Sequence, residues 1–263
     1  MEIKFINYTY NDHIIDLEIY NNTITGLTGK SKESFFELIS LKKTGKGLLT
    51  INDTKITKDN ILSYKKKISI IKKELNVADF IITVKDLMNY IIRTYNLSIK
   101  NVEKKIKDSL RIVGLEEECL ERKISSLSSS EKKLIQYAVS LLSNPELIII
   151  EEPFRCLDNK NEKKIVMLLQ RLKEQFSINI ILVSDDSNAL YKYTNNIIMT
   201  KNDEIIYQGD TYQGYQKVDF LRRNKIEVPE IIEFTYLAKK RKSVKIDYHK
   251  DIRDIIKDIY KHV

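Results

Sequence analysis

Apolar and polar residues alternate through residues 2–10 (EIKFINYTY), and the same period returns in 14–19 and 23–28. Alternation over such short runs predicts three strands, each with one face buried. Two further stretches, Lys67–Lys73 and Ile178–Ser184, also predict strands. The run Leu147-Ile148-Ile149-Ile150 is continuously apolar and lies between turn signals, Asn144-Pro145 before it and Pro153 after it. It predicts a parallel strand buried on both faces. From Val84 to Cys119 the period lengthens. Ile99, Val102, Ile106, Leu110 and Val113 recur at three- and four-residue spacing, which predicts helix with one face on a core. Another helix is expected over Glu162–Glu174. In the tail, a helix, a break at Val228-Pro229 and a second helix are expected, the second with Ile231, Ile232, Phe234, Leu237 and Ala238 on its apolar face.

Composition narrows this picture. At 263 residues the chain reaches the size at which a single core stops growing (about 250 residues), so one domain with an appendage is expected. A hydrophobic content of 42% beside 31% charged residues fits a globular chain and excludes a disordered one. No apolar run nears the ~20 residues of a membrane-spanning helix. The N-terminus has no continuous apolar core, so no secretory leader is expected. Cys119 and Cys156 form no regular framework, which fits a reducing cytoplasm. The net charge of +8 comes from lysine spread along the whole chain, and it reads as compositional bias before a dedicated nucleic-acid surface.

Candidate chemistry gathers between Leu127 and Asp158. Leu127-Ser128-Ser129-Ser130-Glu131 opens a helix-like run, the strand at Leu147–Ile150 ends on Glu151 and Glu152, and Leu157-Asp158 follows. Carboxylates at the C-terminal end of a buried parallel strand lie at the rim where open α/β sheets bind ligands. Burying such a group unpaired is costly, so two in succession are rarely filler. In order and spacing this stretch resembles the signature-to-Walker-B region of ABC-type ATPases: LSGGQ, a helix, a strand ending in Asp-Glu-Pro, then a Leu-Asp turn. The resemblance covers essentially the whole chain. It implies an α/β fold, a P-loop NTPase-like ABC nucleotide-binding domain with a mixed sheet, N-terminal antiparallel strands, a RecA-like core and a helical subdomain. Residues 1–212 would form that domain, with the helical subdomain at about 84–130, and 213–263 a short C-terminal helical extension. Residues 47–53 and the pair 196–200 and 204–210 resemble the family's two hairpins. The tail is similar to the extension of energy-coupling-factor transporter ATPases.

The chemistry departs from the family pattern slot by slot. A phosphate-binding loop reads G-x-x-x-x-G-K-[ST], because glycines let backbone N–H groups wrap the phosphates and the lysine reaches the terminal ones. Counted from Gly29, the second glycine becomes Ser34, the lysine Phe35 and the hydroxyl residue Phe36. A second alignment takes Gly26 through Gly29-Lys30-Ser31 as a truncated loop. Neither gives a full cradle, and with only seven glycines in the chain none is to spare. A plain strand-to-helix turn with Lys30 and Lys32 solvated stays open beside residual phosphate contact. The resemblance also assigns nucleotide contact to Tyr10 and to Ser128, Ser129 and Ser130 in the signature slot, with Asp158 in the D-loop turn Arg155-Cys156-Leu157-Asp158. The Q-loop glutamine slot holds Lys73, whose ammonium neither accepts a hydrogen bond nor ligates a metal. Glu151 stands at the magnesium position, one methylene longer than the family's Asp. Glu152 stands at the general base. Asp185 replaces the switch histidine, where an acid repels a triphosphate.

What the resemblance implies is the ATP-binding subunit of a membrane transporter, of the energy-coupling-factor uptake type. With three ligand slots replaced, it would be an ATPase that no longer turns over, paired with a competent one. ATP and Mg²⁺ would be the ligands. The partners would be a second ABC ATPase subunit in a homodimer or heterodimer, a transmembrane coupling protein and the cytoplasmic face of the cell membrane. An active ABC ATPase with relaxed motifs, and a soluble scaffold or nucleic-acid-binding protein on the same fold, remain as alternatives.

Overall fold

The computed structural model describes residues 1–78, 80–155, 157–242 and 246–261. In chain order the first elements are β1 (Ile3–Tyr10), β2 (His13–Ile19), β3 (Ile24–Gly29), α1 (Lys32–Ile39), β4 (Lys46–Ile51) and β5 (Thr54–Lys55). Then come α2 (Ile61–Lys65), β6 (Ile68–Ile71), α3 (Val84–Thr94), α4 (Val102–Ile112), α5 (Ser129–Ser140) and β7 (Leu147–Glu151). The chain continues with α6 (Asn159–Phe176), β8 (Asn179–Val183), α7 (Ser187–Tyr193), β9 (Asn196–Lys201) and β10 (Glu204–Asp210). It closes with α8 (Thr211–Tyr215), α9 (Val218–Arg223), α10 (Glu230–Lys242) and α11 (Ile252–Lys261). Every strand that the periodicity predicts is present. A mixed sheet, antiparallel strands near the N-terminus and covering helices are present, as the resemblance implies.

The chain divides into two compact units. One comprises Met1 with residues 56–180, the other residues 2–55 with 181–263. In the first unit β6 pairs in parallel with β7, Ile68 opposite Leu147 and Ile71 opposite Ile150. All four residues Leu147–Ile150 are fully buried, as a continuously apolar strand requires. The helical stretch 84–119 breaks where side-chain caps dictate. Thr83 caps α3 in a reciprocal box with Asp86, and Asn101 accepts from the Lys104 amide to start α4. Ile106, Leu110 and Val113 form the buried face.

The second unit holds an antiparallel sheet in the order β2-β1-β4-β5 and the parallel pair β3–β9, with β10 antiparallel on the outer side of β9. Ile3, Phe5, Leu17, Ile19, Leu49 and Ile51 bury one face of the antiparallel sheet. The tail departs from expectation in one respect. In α10 Ile232 and Thr235 are the buried residues, whereas Phe234 is 52% exposed. Thr235 tolerates that place because its hydroxyl donates to the Ile231 carbonyl at 2.8 Å. No helix among the described residues is long and apolar enough to cross a membrane.

Candidate nucleotide site

In the first unit the residues of interest sit at the C-terminal ends of β6 and β7. Glu151 closes β7, and its Oε1 lies 2.5 Å from Lys72 Nζ. Its Oε2 accepts from the Lys73 amide at 3.4 Å. Lys133, one turn into α5, is 4% exposed and spends its ammonium on backbone oxygens, Glu151 O at 3.1 Å and Lys72 O at 3.4 Å. Gln136 Nε2 donates to the same Lys72 carbonyl at 3.1 Å. A buried ammonium is tolerated only with such partners. Glu152 follows at φ 44°, a left-handed conformation that costs a non-glycine residue roughly 1–2 kcal/mol. Arg155 Nη2 is 3.7 Å from Glu74, and Asp158 caps α6 through the Asn161 amide at 2.8 Å. That amide holds the Asp158 carboxyl below its ordinary range. Cys156 lies outside the described residues.

Ser128 is the N-cap of α5. Its hydroxyl accepts from the Glu131 amide at 3.2 Å, while Glu131 accepts from the Ser128 amide at 2.8 Å. Arg122 pairs with Glu131 and, with the Ser128 amide, pulls its pKa down to about 2. The serine cluster is therefore a formed capping box. Ser128 and Ser129 are exposed on the surface, and Ser130 is partly so.

In the second unit β3 runs through Gly29 and α1 begins at Lys32, so the loop between them is two residues long. Gly29 has φ 105°, and a Cβ there would meet Thr200 O at 2.1 Å; only glycine fits so close to β9. The Lys30 amide donates to Thr200 O at 3.2 Å, and the Ser31 hydroxyl accepts from the Asp203 amide at 2.8 Å. The loop is stitched to the β9–β10 hairpin. Lys30 itself is exposed, ahead of the helix, while Gly26 is buried within β3. Phe35 and Phe36 are buried inside α1, so the count from Gly29 would run its loop through a formed helix. Tyr10 is only 4% exposed and turns no open face to solvent, and burial raises its pKa. Asp185, just past β8, reaches Lys32: Asp185 Oδ2 lies 2.5 Å from Lys32 Nζ. Glu33 Oε1 stands 3.6 Å from the same ammonium.

The family model for ABC transporters matches residues 13–155, more than half of the chain. The chain belongs to the ABC transporter family. The helix start at Lys32 allows one more count beside the two that the sequence offers. Counting G-x-x-x-x-G-K-[ST] from Gly26 puts Ser31 at the second glycine, Lys32 at the lysine and Glu33 at the hydroxyl residue. In that count Lys32, which the sequence reading left as a solvated side chain, is the candidate phosphate-loop lysine.

Among relatives, the Energy-coupling factor transporter ATP-binding protein EcfA2 of Enterococcus faecalis is 26% identical over 253 residues, covering 89% of this chain and 88% of its own. The EcfA2 of Clostridium tetani is 27% identical over 235 residues, 87% of this chain and 81% of its own. The solved structure of cbiO1 from Clostridium perfringens, described as part of the ABC transporter complex cbiONQ, shares the fold at a TM-score of 0.72. It is 20% identical and covers 89% of this chain and 98% of its own.

Proposed function

We propose that this chain is the ATP-binding-cassette subunit of an energy-coupling-factor-type uptake transporter, catalytically impaired, and that it works beside a competent ATPase subunit and a transmembrane coupling protein at the cytoplasmic face of the membrane. The two EcfA2 relatives, which align over most of both chains, support the transporter type. So do the helices α8–α11 that follow β10, a tail of the kind the sequence resemblance assigns to that type.

The impairment rests on one observation, the 2.5 Å contact between Glu151 and Lys72. Mg²⁺ asks for an octahedron of oxygen ligands. Here the carboxylate in the metal slot is answered by an ammonium, and the glutamine slot beside it carries Lys73, a cation with no lone pair to give. These residues do not fit Mg²⁺. Glu152 remains at the base position, yet the groups that would deliver a metal-bound nucleotide to it have changed sign or type. Ser128, exposed at the start of α5, stays available to complete a site on a partner subunit.

Phosphate release from ATP by the purified chain is expected to match that of its Glu152→Gln variant. Turnover that this substitution removes would overturn the impaired reading.

A further inference from the structure

We infer that Asp185 is an internal competitor for phosphate at Lys32, a specificity-determining residue whose carboxylate keeps the P-loop slot from accepting the polyphosphate of a nucleotide. The inference deepens the proposed function and rests on the count from Gly26 that makes Lys32 the P-loop lysine.

Lys32 is sheltered, its side chain 14% exposed, while Asp185 is 70% exposed. The ammonium thus sits in a fixed place at the first turn of α1, and the carboxylate comes to it from the rim. An ammonium in that place has one chemical use in a phosphate loop, to meet terminal phosphate oxygens. Here one carboxylate oxygen holds it at 2.5 Å and a second carboxylate, Glu33, stands at 3.6 Å. Two carboxylates already stand on this cation, so an incoming polyphosphate must displace Asp185 and also approach like charge. The backbone adds to this. The Lys30 amide is already donated to Thr200 O, and Ser31 accepts from Asp203, which removes a donor from the cradle and ties the loop to the hairpin. Asp186, next in the chain, caps α7 independently, through the Ala189 amide at 2.9 Å. Neutralising residue 185 should therefore take this carboxylate from Lys32 without dismantling the start of α7.

The test is calorimetric titration of the full chain with inorganic tripolyphosphate and with metal-free ATP. Wild type is compared with Asp185→Asn, Lys32→Gln and the double variant, each checked to be fully folded at the titration temperature. Asp185→Asn is expected to bind both probes about tenfold more tightly than wild type. In the Lys32→Gln background the same change should give no gain. Equal binding by wild type and Asp185→Asn overturns the inference, and so does a gain that survives in the double variant. If Asp185→Asn is not folded at that temperature, Asp185→Ser removes the same charge and carries the same expectations. The outcome separates cleanly from the turnover assay. Loss of turnover in Glu152→Gln would sink the impaired reading, whereas equal tripolyphosphate binding would sink only the role of Asp185.

Discussion

The two ion pairs at the proposed ligand slots are inverted copies of one another. In the second unit the sheltered residue is a cation, Lys32, and the outer one an acid, Asp185. In the first unit the sheltered residue is an acid, Glu151, and the outer one a cation, Lys72. The sheltered side chains are 14% and 24% exposed and the outer ones 70% and 50%. The fold fixes the sheltered residue at a helix start or a strand end. A sheltered charge left unanswered is costly, and in each pair a side chain from the rim answers it. The difference between the halves lies in the backbone. The first unit adds a buried ammonium, Lys133, on the carbonyls, while the second stitches its loop down with amides and hydroxyls.

The largest expected effect falls on that stitching. Gly29→Ala places a Cβ 2.1 Å from Thr200 O at φ 105°, and we expect a loss of about 3 kcal/mol or more in urea unfolding. A loss well under 1 kcal/mol would mean that the loop has slack, and the contrast between the halves would go. Smaller effects should rank the members of each pair. Removing the outer charge (Lys72→Gln or Asp185→Asn) takes the nearest opposite charge from a sheltered group, for which we expect about 1 kcal/mol. Removing the sheltered charge (Glu151→Gln or Lys32→Met) takes it from an exposed group and should cost less. Equal costs in both directions would refute the asymmetry. The smallest effect is at the serine cluster. Glu131 has a folded pKa of about 2, below the ordinary value of about 4.3, so its contribution is complete above that ordinary value and fades as pH falls toward 2. Amide exchange at the start of α5 should quicken across that interval, and Arg122→Ala should shift the change to higher pH.

Much of the fold was legible because strands announce themselves locally. The period-two runs and the apolar segment Leu147–Ile150 fell where β1, β2, β3 and β7 form, and Ser128 with Glu131 was a readable cap. The site was legible in type and not in contact. Asp185 could be read as hostile to phosphate from its charge, but its bond to Lys32 joins residues 153 positions apart, and no local pattern encodes that. Lys133 carried no signal in the sequence, since nothing in its neighbours announces that carbonyls wait at the far end of its stem. Phe234 misled for the opposite reason: an aromatic at helical spacing was placed on the helix's apolar face and is exposed, while Thr235 takes the buried position by satisfying its own hydroxyl.

Lys133 also changes what kind of object the end of β7 is. A metal ion there would be exchangeable, subject to chelators and to the free concentration in its surroundings. An ammonium on a covalent stem is present at a fixed local concentration and leaves only if the helix that carries it unwinds. The Glu151 and Lys72 carbonyls are thus held by a part of the chain itself, and that contact does not depend on any exchangeable ion.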